Sequence, residues 1–212
     1  MESDIENLKE LIPDISPSEV ESFKKFYDIL CHFNKKINLV SRVSLKEAGA
    51  KHFADSFLGL KLFEETIQSS ELFYDFGSGN GFPGVIAAIM YPKTKFILVE
   101  RDKRKSQFLE YLSRELGLKN IILHAGSAAE LKERSVKLSM SRAMAPLPKF
   151  LLELRTLVPK GGKAFLFKGE SWTTEFGNCP PQIFDLWEVK LRGSYTLPSV
   201  EAVRFIIECE RL

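Results

Sequence analysis

The stretch Leu72-Phe73-Tyr74-Asp75-Phe76-Gly77-Ser78-Gly79-Asn80-Gly81-Phe82-Pro83-Gly84 constrains this chain more than any other. A short apolar run ends in an acid and passes straight into a glycine-rich turn, which predicts a strand, a tight loop and then a helix. In an open α/β sheet, ligands bind in the crevice at the carboxyl ends of the strands, where glycines let backbone approach them closely. The rest of the chain keeps the same alternation. Leu72–Phe76, Phe96–Val99, Ile121–His124, Leu138–Met140 and Ala164–Phe167 are expected as strands, with helices near 83–91, 103–116, 127–134 and 147–157 between them. Beyond Gly169 the helical signal weakens. Strand-like segments near 186–192 and 202–209 suggest an antiparallel hairpin completing a doubly wound, mostly parallel, seven-stranded sheet.

Ahead of the sheet, Ser16-Pro17-Ser18-Glu19 reads as a helix cap with Pro in the first turn, followed by apolar residues at helical spacing over 17–34. A second helix is expected over 45–63. These predict an N-terminal helical extension over 1–70 and an α/β domain over 71–212.

Composition excludes whole classes. At 212 residues, with 44% hydrophobic and 27% charged, the chain has room for one sizeable core and no sign of disorder or coiled coil. Its formal charge of +2 argues against a general polycation but leaves local basic patches open. Cys31, Cys179 and Cys209 are scattered, without metal-ligand spacing, and no metal is expected. The start Met1-Glu2-Ser3-Asp4 is acidic where a signal peptide is basic, and no apolar run is long enough to span a bilayer. A cytoplasmic protein with no membrane partner is the expectation.

Gly79, Gly81 and Gly84 satisfy G-x-G-x-x-G, so a dinucleotide-binding dehydrogenase is one reading of the loop. Asp75 argues against it. A carboxylate at the end of the first strand repels a pyrophosphate but attracts an ammonium, which S-adenosylmethionine carries. Asp75 also suits a capping role on the loop's own N–H groups. Glu100, ending the second strand a little over twenty residues on, is placed to accept from both ribose hydroxyls, or else to pair with Arg101 or Lys103.

Taken together, the chain resembles the ribosomal RNA small subunit methyltransferase G family, over about residues 25–170. Asn34-Lys35-Lys36-Ile37-Asn38-Leu39-Val40-Ser41 is similar to the family's N-terminal signature, and His52-Phe53-Ala54-Asp55-Ser56 to its H-x-x-D-S element. The glycine loop with Phe82-Pro83-Gly84, then Ser141-Arg142-Ala143 and Lys168-Gly169, follow in order. The resemblance implies a Rossmann-like class I methyltransferase that uses S-adenosylmethionine to methylate N7 of one guanine in the decoding-region loop of 16S rRNA. It carries cofactor contacts to Gly77, Phe82, Ala129, Glu130 and Arg142, beside Asp75, Gly79 and Glu100 from the loop reading. Asn80 stands where the family often has Pro or Ala.

Guanine N7 bears an in-plane lone pair and no proton, so alignment rather than a general base is the expected task. Arg142 and Lys168, ending the fourth and fifth strands, are the candidate catalytic residues, able to approach cofactor, guanine O6 or phosphate. Each also suits a surface ion pair. Lys35, Lys36, Arg42, Arg101, Lys103, Arg104 and Lys168 are the candidate RNA contacts. Phe82 and Phe33 are candidate stacking platforms, with core packing the stronger role for Phe33. His52 and Asp55 share one helical face and are expected to order the helical extension. A small-molecule methyltransferase and a non-catalytic RNA-binding protein remain as rivals. A monomer acting on the 30S subunit or an assembly intermediate is expected.

Overall fold

The computed structural model describes residues 4–212, so Met1, Glu2 and Ser3 of the acidic start lie outside it. Seven strands form one sheet in the order β3-β2-β1-β4-β5-β7-β6. They are β1 Leu72–Phe76, β2 Lys95–Val99, β3 Ile121–His124, β4 Leu138–Arg142, β5 Lys163–Lys168, β6 Trp187–Thr196 and β7 Val203–Arg211. The first five are parallel, whereas β7 runs antiparallel between β5 and β6.

Strand alternation sorts side chains onto two faces. Phe73, Phe96, Leu98, Met140, Phe165 and Phe167 pack on one face with the N-terminal helices and the helices Gly84–Met90 and Lys103–Glu115. Tyr74, Phe76, Val99 and Leu166 pack on the other with the helix Leu147–Leu154, Ile183 and Trp187. The N-terminal helices therefore share a core with the sheet. Phe23, Phe26 and Phe53 are fully buried in it beside Phe73 and Phe96.

The helix Pro17–Asn34 starts with a capping box: Ser16 accepts from the Glu19 N–H and Glu19 from the Ser16 N–H. The helix expected over 45–63 is instead divided into Arg42–Lys46, a π-helical turn over Gly49–Ala54, and Asp55–Lys61. A distant residue directs that break. Asp4 accepts from the Gly49 and Ala50 N–H groups at 2.7 and 2.9 Å, a tie that local pattern does not report. The helix expected over 127–134 is a three-residue turn, Ala128–Glu130, because no second apolar pair follows to give it a face to bury. Beyond Gly169, two short helices, Trp172–Gly177 and Pro181–Phe184, precede the hairpin.

Candidate active site

The turn after β1 opens a crevice of about 710 Å³ at the carboxyl ends of β1, β2 and β4. Its floor is backbone. Gly77 takes φ +71°, and a Cβ there would meet Met144 Cγ at 3.0 Å, so this position favours glycine on both conformation and space. The Gly77 and Ser78 N–H groups donate to the Val99 carbonyl at 3.0 and 3.2 Å, and the Ser78 hydroxyl donates to the Asp75 carbonyl at 2.8 Å.

Glu100 stands at the crevice wall, only 7% exposed. Its Oε2 accepts from the Gly79 N–H and its Oε1 from the Asp102 N–H, both at 2.8 Å. The carboxylate is thus held by backbone, not by Arg101 or Lys103, and each oxygen keeps a lone pair for a vicinal diol. Ala128 and Ala129 form a small apolar border opposite. Glu130 turns back to cap the Ser127 N–H at 2.9 Å, which holds its carboxyl below the usual range, so it shapes this border rather than lining it.

Asp75 sits behind the glycine loop, fully buried, on the same sheet face as Phe73. Its Oδ2 lies 2.4 Å from where a Gly84 Cβ would stand, and neither carboxylate oxygen finds a well-formed hydrogen bond. Burial pushes its pKa up to about 7, against the opposing pull of Ser78, Arg142 and the Gly84 N–H. Its reach toward the crevice therefore runs through the loop.

Phe82 fills the junction between the loop and the N-terminal helices. Its ring, 2% exposed, stacks on Phe26 at 4.7 Å and on His52 at 5.2 Å, with Phe53 edge-on at 4.9 Å. The expectation that this ring stacks on an RNA base is overturned by that burial, and its side chain does not line the crevice. Phe33 packs beside Phe108 and Tyr111.

Arg142 follows Leu138 and Met140 onto the face covered by the N-terminal helices. Its side chain is 12% exposed; Nη1 donates to Asp55 Oδ2 at 2.9 Å and to the Lys51 carbonyl at 3.2 Å, and Nη2 meets His52 Nδ1 at 3.1 Å. The guanidinium also lies 5.2 Å from the Phe82 ring centre. Since Nδ1 faces a donor, His52 Nε2 carries the proton toward Ser44 Oγ, 2.5 Å away. Burial, then the Arg142 and Lys51 charges, push the His52 pKa down to about 3, so the ring is neutral. The Tyr195 hydroxyl on β6 completes the cluster by donating to Asp55 Oδ1 at 2.8 Å. His52 and Asp55 thus fasten the extension to the sheet through Arg142.

Lys168 ends β5 on the opposite face. Its Nζ donates to the Ala145 carbonyl at 3.1 Å and to Glu175 Oε2 at 2.7 Å, and the same Oε2 accepts from the Leu147 N–H at 2.7 Å. Arg142, Lys168 and Glu175 line a second recess of about 680 Å³, which shares Ala143, Met144 and Ala145 with the crevice. Ala143 takes φ +57°, an uncommon conformation for a residue with a Cβ, at this shared wall. Glu175 is not legible in the sequence. Its only signal is its spacing seven residues beyond Lys168, in a segment of weak periodicity.

Lys35, Lys36 and Arg42 are exposed around the loop that Asn34 folds by accepting from the Leu39 and Val40 N–H groups at 2.9 and 3.0 Å. Asn80 joins that loop to the glycine turn, donating to the Leu39 carbonyl at 3.4 Å. Arg101, Lys103 and Arg104 are exposed beside Glu100, where Asp102 caps the helix Lys103–Glu115.

The model of the rRNA small subunit methyltransferase G family matches residues 19–186, most of the chain. The chain belongs to that family. A relative from Bdellovibrio bacteriovorus, ribosomal RNA small subunit methyltransferase G 3, is 36% identical over 94% of this chain and 90% of its own length. One from Solibacter usitatus, ribosomal RNA small subunit methyltransferase G, is 30% identical over 96% and 97%. Among solved structures, a SAM-dependent methyltransferase from Aquifex aeolicus superposes with a TM-score of 0.56 at 14% identity, over 74% of this chain and 91% of its own. The precorrin-6y C5,15-methyltransferase of Geobacter metallireducens gives 0.53 at 12% identity, over 82% and 92%. These two establish the fold, a class I methyltransferase sheet, and family membership makes the protein an S-adenosylmethionine-dependent rRNA methyltransferase. The residues present fit that donor: a close-approach backbone floor at Gly77 and Gly79, a fixed diol acceptor at Glu100 and an apolar border at Ala128 and Ala129.

Proposed function

We propose that this protein transfers a methyl group from S-adenosylmethionine to N7 of one guanine in the decoding-region loop of 16S rRNA, acting as a cytoplasmic monomer on the 30S subunit or an assembly intermediate. The observation that carries the reading is the meeting of two recesses at Ala143–Ala145, one fitted to the donor and one lined by Arg142, Lys168 and Arg204 together with Asp55 and Glu175. The bound donor supplies a methyl group activated by a sulfonium centre. Glu100 orients the ribose, the Gly77 and Gly79 backbone admits the amino-acid portion, and Ala129 borders the adenine. Arg142 acts from the wall between helical extension and site, where its charge favours the electron-rich O6/N7 edge of guanine. N7 holds no proton, so the chain need only align the base.

Residues 1–70 present Lys35, Lys36 and Arg42 to the RNA backbone, and residues 71–212 carry the chemistry with Arg101, Lys103, Arg104 and Lys168 along the rim. The test is incubation of labelled donor with 30S particles, and separately with protein-free rRNA, from cells lacking this protein, followed by nucleoside analysis. Label recovered as 7-methylguanosine is expected from particles. No incorporation into either substrate, with donor binding intact, overturns the reading.

A further inference from the structure

We infer that the Lys168–Glu175 pair reads the Watson–Crick edge of the acceptor guanine and rejects adenine. The inference rests on the proposed reaction and adds a residue to it that the reading of the sequence did not contain.

Lys168 Nζ has three hydrogens, and two are spent on the Ala145 carbonyl and Glu175 Oε2. Glu175 Oε2 is likewise filled by Lys168 and the Leu147 N–H, while Oε1 takes no hydrogen bond among the described residues. Both side chains line the recess. The recess therefore offers a cationic donor and an anionic acceptor side by side, fixed relative to each other by a 2.7 Å ion pair.

Guanine presents the complementary order on adjacent atoms: O6 accepts and N1–H donates. Adenine presents the reverse, with N6–H donating and N1 accepting, so both contacts would oppose. Uracil shares the guanine pattern but has no N7, which leaves the pair to discriminate among purines. The position also suits the reaction. O6 neighbours N7 on guanine, and Lys168 is bonded to Ala145, a residue of the wall shared with the donor crevice. With Lys168 on O6 and Glu175 on N1–H, N7 is the next atom toward that wall. A base turned out of its helix is commonly read along this edge.

Glu175→Gln is the decisive variant. The amide oxygen can keep the bonds from Leu147 and Lys168, and its NH2 then replaces Oε1, setting donor against the N1–H donor. A merely structural Glu175 predicts near-native turnover. The inference predicts that kcat/KM on 30S particles falls by about 30-fold or more, because a donor then faces a donor beneath the bound base, while the calorimetric Kd for S-adenosylmethionine stays within about twofold. Native kcat/KM in the variant overturns the inference, and so does an equal loss of donor binding, which would place Glu175 on the crevice side. Lys168→Met, read by the same two measurements, decides the matter if the glutamine variant does not fold. Absence of 7-methylguanosine with the native enzyme would fault the proposed reaction instead, and is scored before either variant.

Discussion

Asp75 is a carboxyl group with no counter-ion in contact, in the middle of the molecule, and its pKa of about 7 makes it a source of pH dependence. Its folded pKa lies above the ordinary carboxylate value of 3.8, so the folded state holds the extra proton. The stability this confers is complete below about pH 4, and it is lost as pH rises through 7. Asp75→Asn is uncharged at every pH. The melting temperature of the variant is expected to gain several degrees on that of the native protein between pH 5 and pH 8, at about 2–4 °C per kcal/mol for a chain of this size. Differential scanning fluorimetry at the two pH values checks it; a gap that does not widen would mean the carboxylate is paired in solution. His52, depressed to about 3, acts with the opposite sign below its usual 6.5 and affects both proteins alike. At this scale Glu100 is legible because its distance from the glycine loop is a local property. The partners of Arg142 are not: Asp55 lies 87 residues earlier. Alternation with Leu138 and Met140 tells which face Arg142 occupies, but not what meets it there.

The turn and the helix Gly84–Met90 behave as one element, because the helix is seated directly on β1 and β2. A Cβ on Gly84 would stand 2.4 Å from Asp75 Oδ2 and 2.5 Å from Leu98 Cδ2. Gly84→Ala must displace the helix or the Asp75 and Leu98 side chains beneath it, with an expected loss of about 1–3 kcal/mol in denaturant unfolding and weaker donor binding by calorimetry. Gly177→Ala meets nothing within 4 Å and is the matched control, expected within about 0.5 kcal/mol of native. Apolar runs announce these strands, so the sequence bounds β1 and the edge strand β3 to the residue, and β2, β4 and β5 to within two. The helix Pro17–Asn34 is equally plain because its start is written in a capping box. Elements shaped by a remote contact are not legible, as at Gly49–Ala54, which Asp4 holds from the other end of the extension.

Across the whole molecule, near-neutral charge conceals an uneven surface. Lys24, Lys51, Lys61 and Lys163 each pair with an acid, while Lys35, Lys36, Arg42, Arg101, Lys103 and Arg104 form no ion pair among the described residues. On the proposed reading, these six unpaired cations are expected to make association with 30S particles salt-dependent. The combined variant Lys35→Ala, Lys36→Ala, Arg42→Ala is expected to weaken binding and to flatten the log–log salt slope by about one for each phosphate that is no longer neutralised. Filter binding across a salt series measures it, and an unchanged slope would remove this patch from the interface. No helix among the described residues is long and apolar enough to cross a membrane.

The order of the last three strands bears on how the chain is made. Because β7 lies between β5 and β6, a growing polypeptide delivers both neighbours before the strand that joins them. A nascent chain halted before Val203 holds β5 as an open edge, and Tyr195 on β6 has no sheet to carry it to Asp55. The Tyr195 bond to Asp55 is therefore a late event of synthesis, added to the Arg142 clasp once β7 has left the exit tunnel of the ribosome.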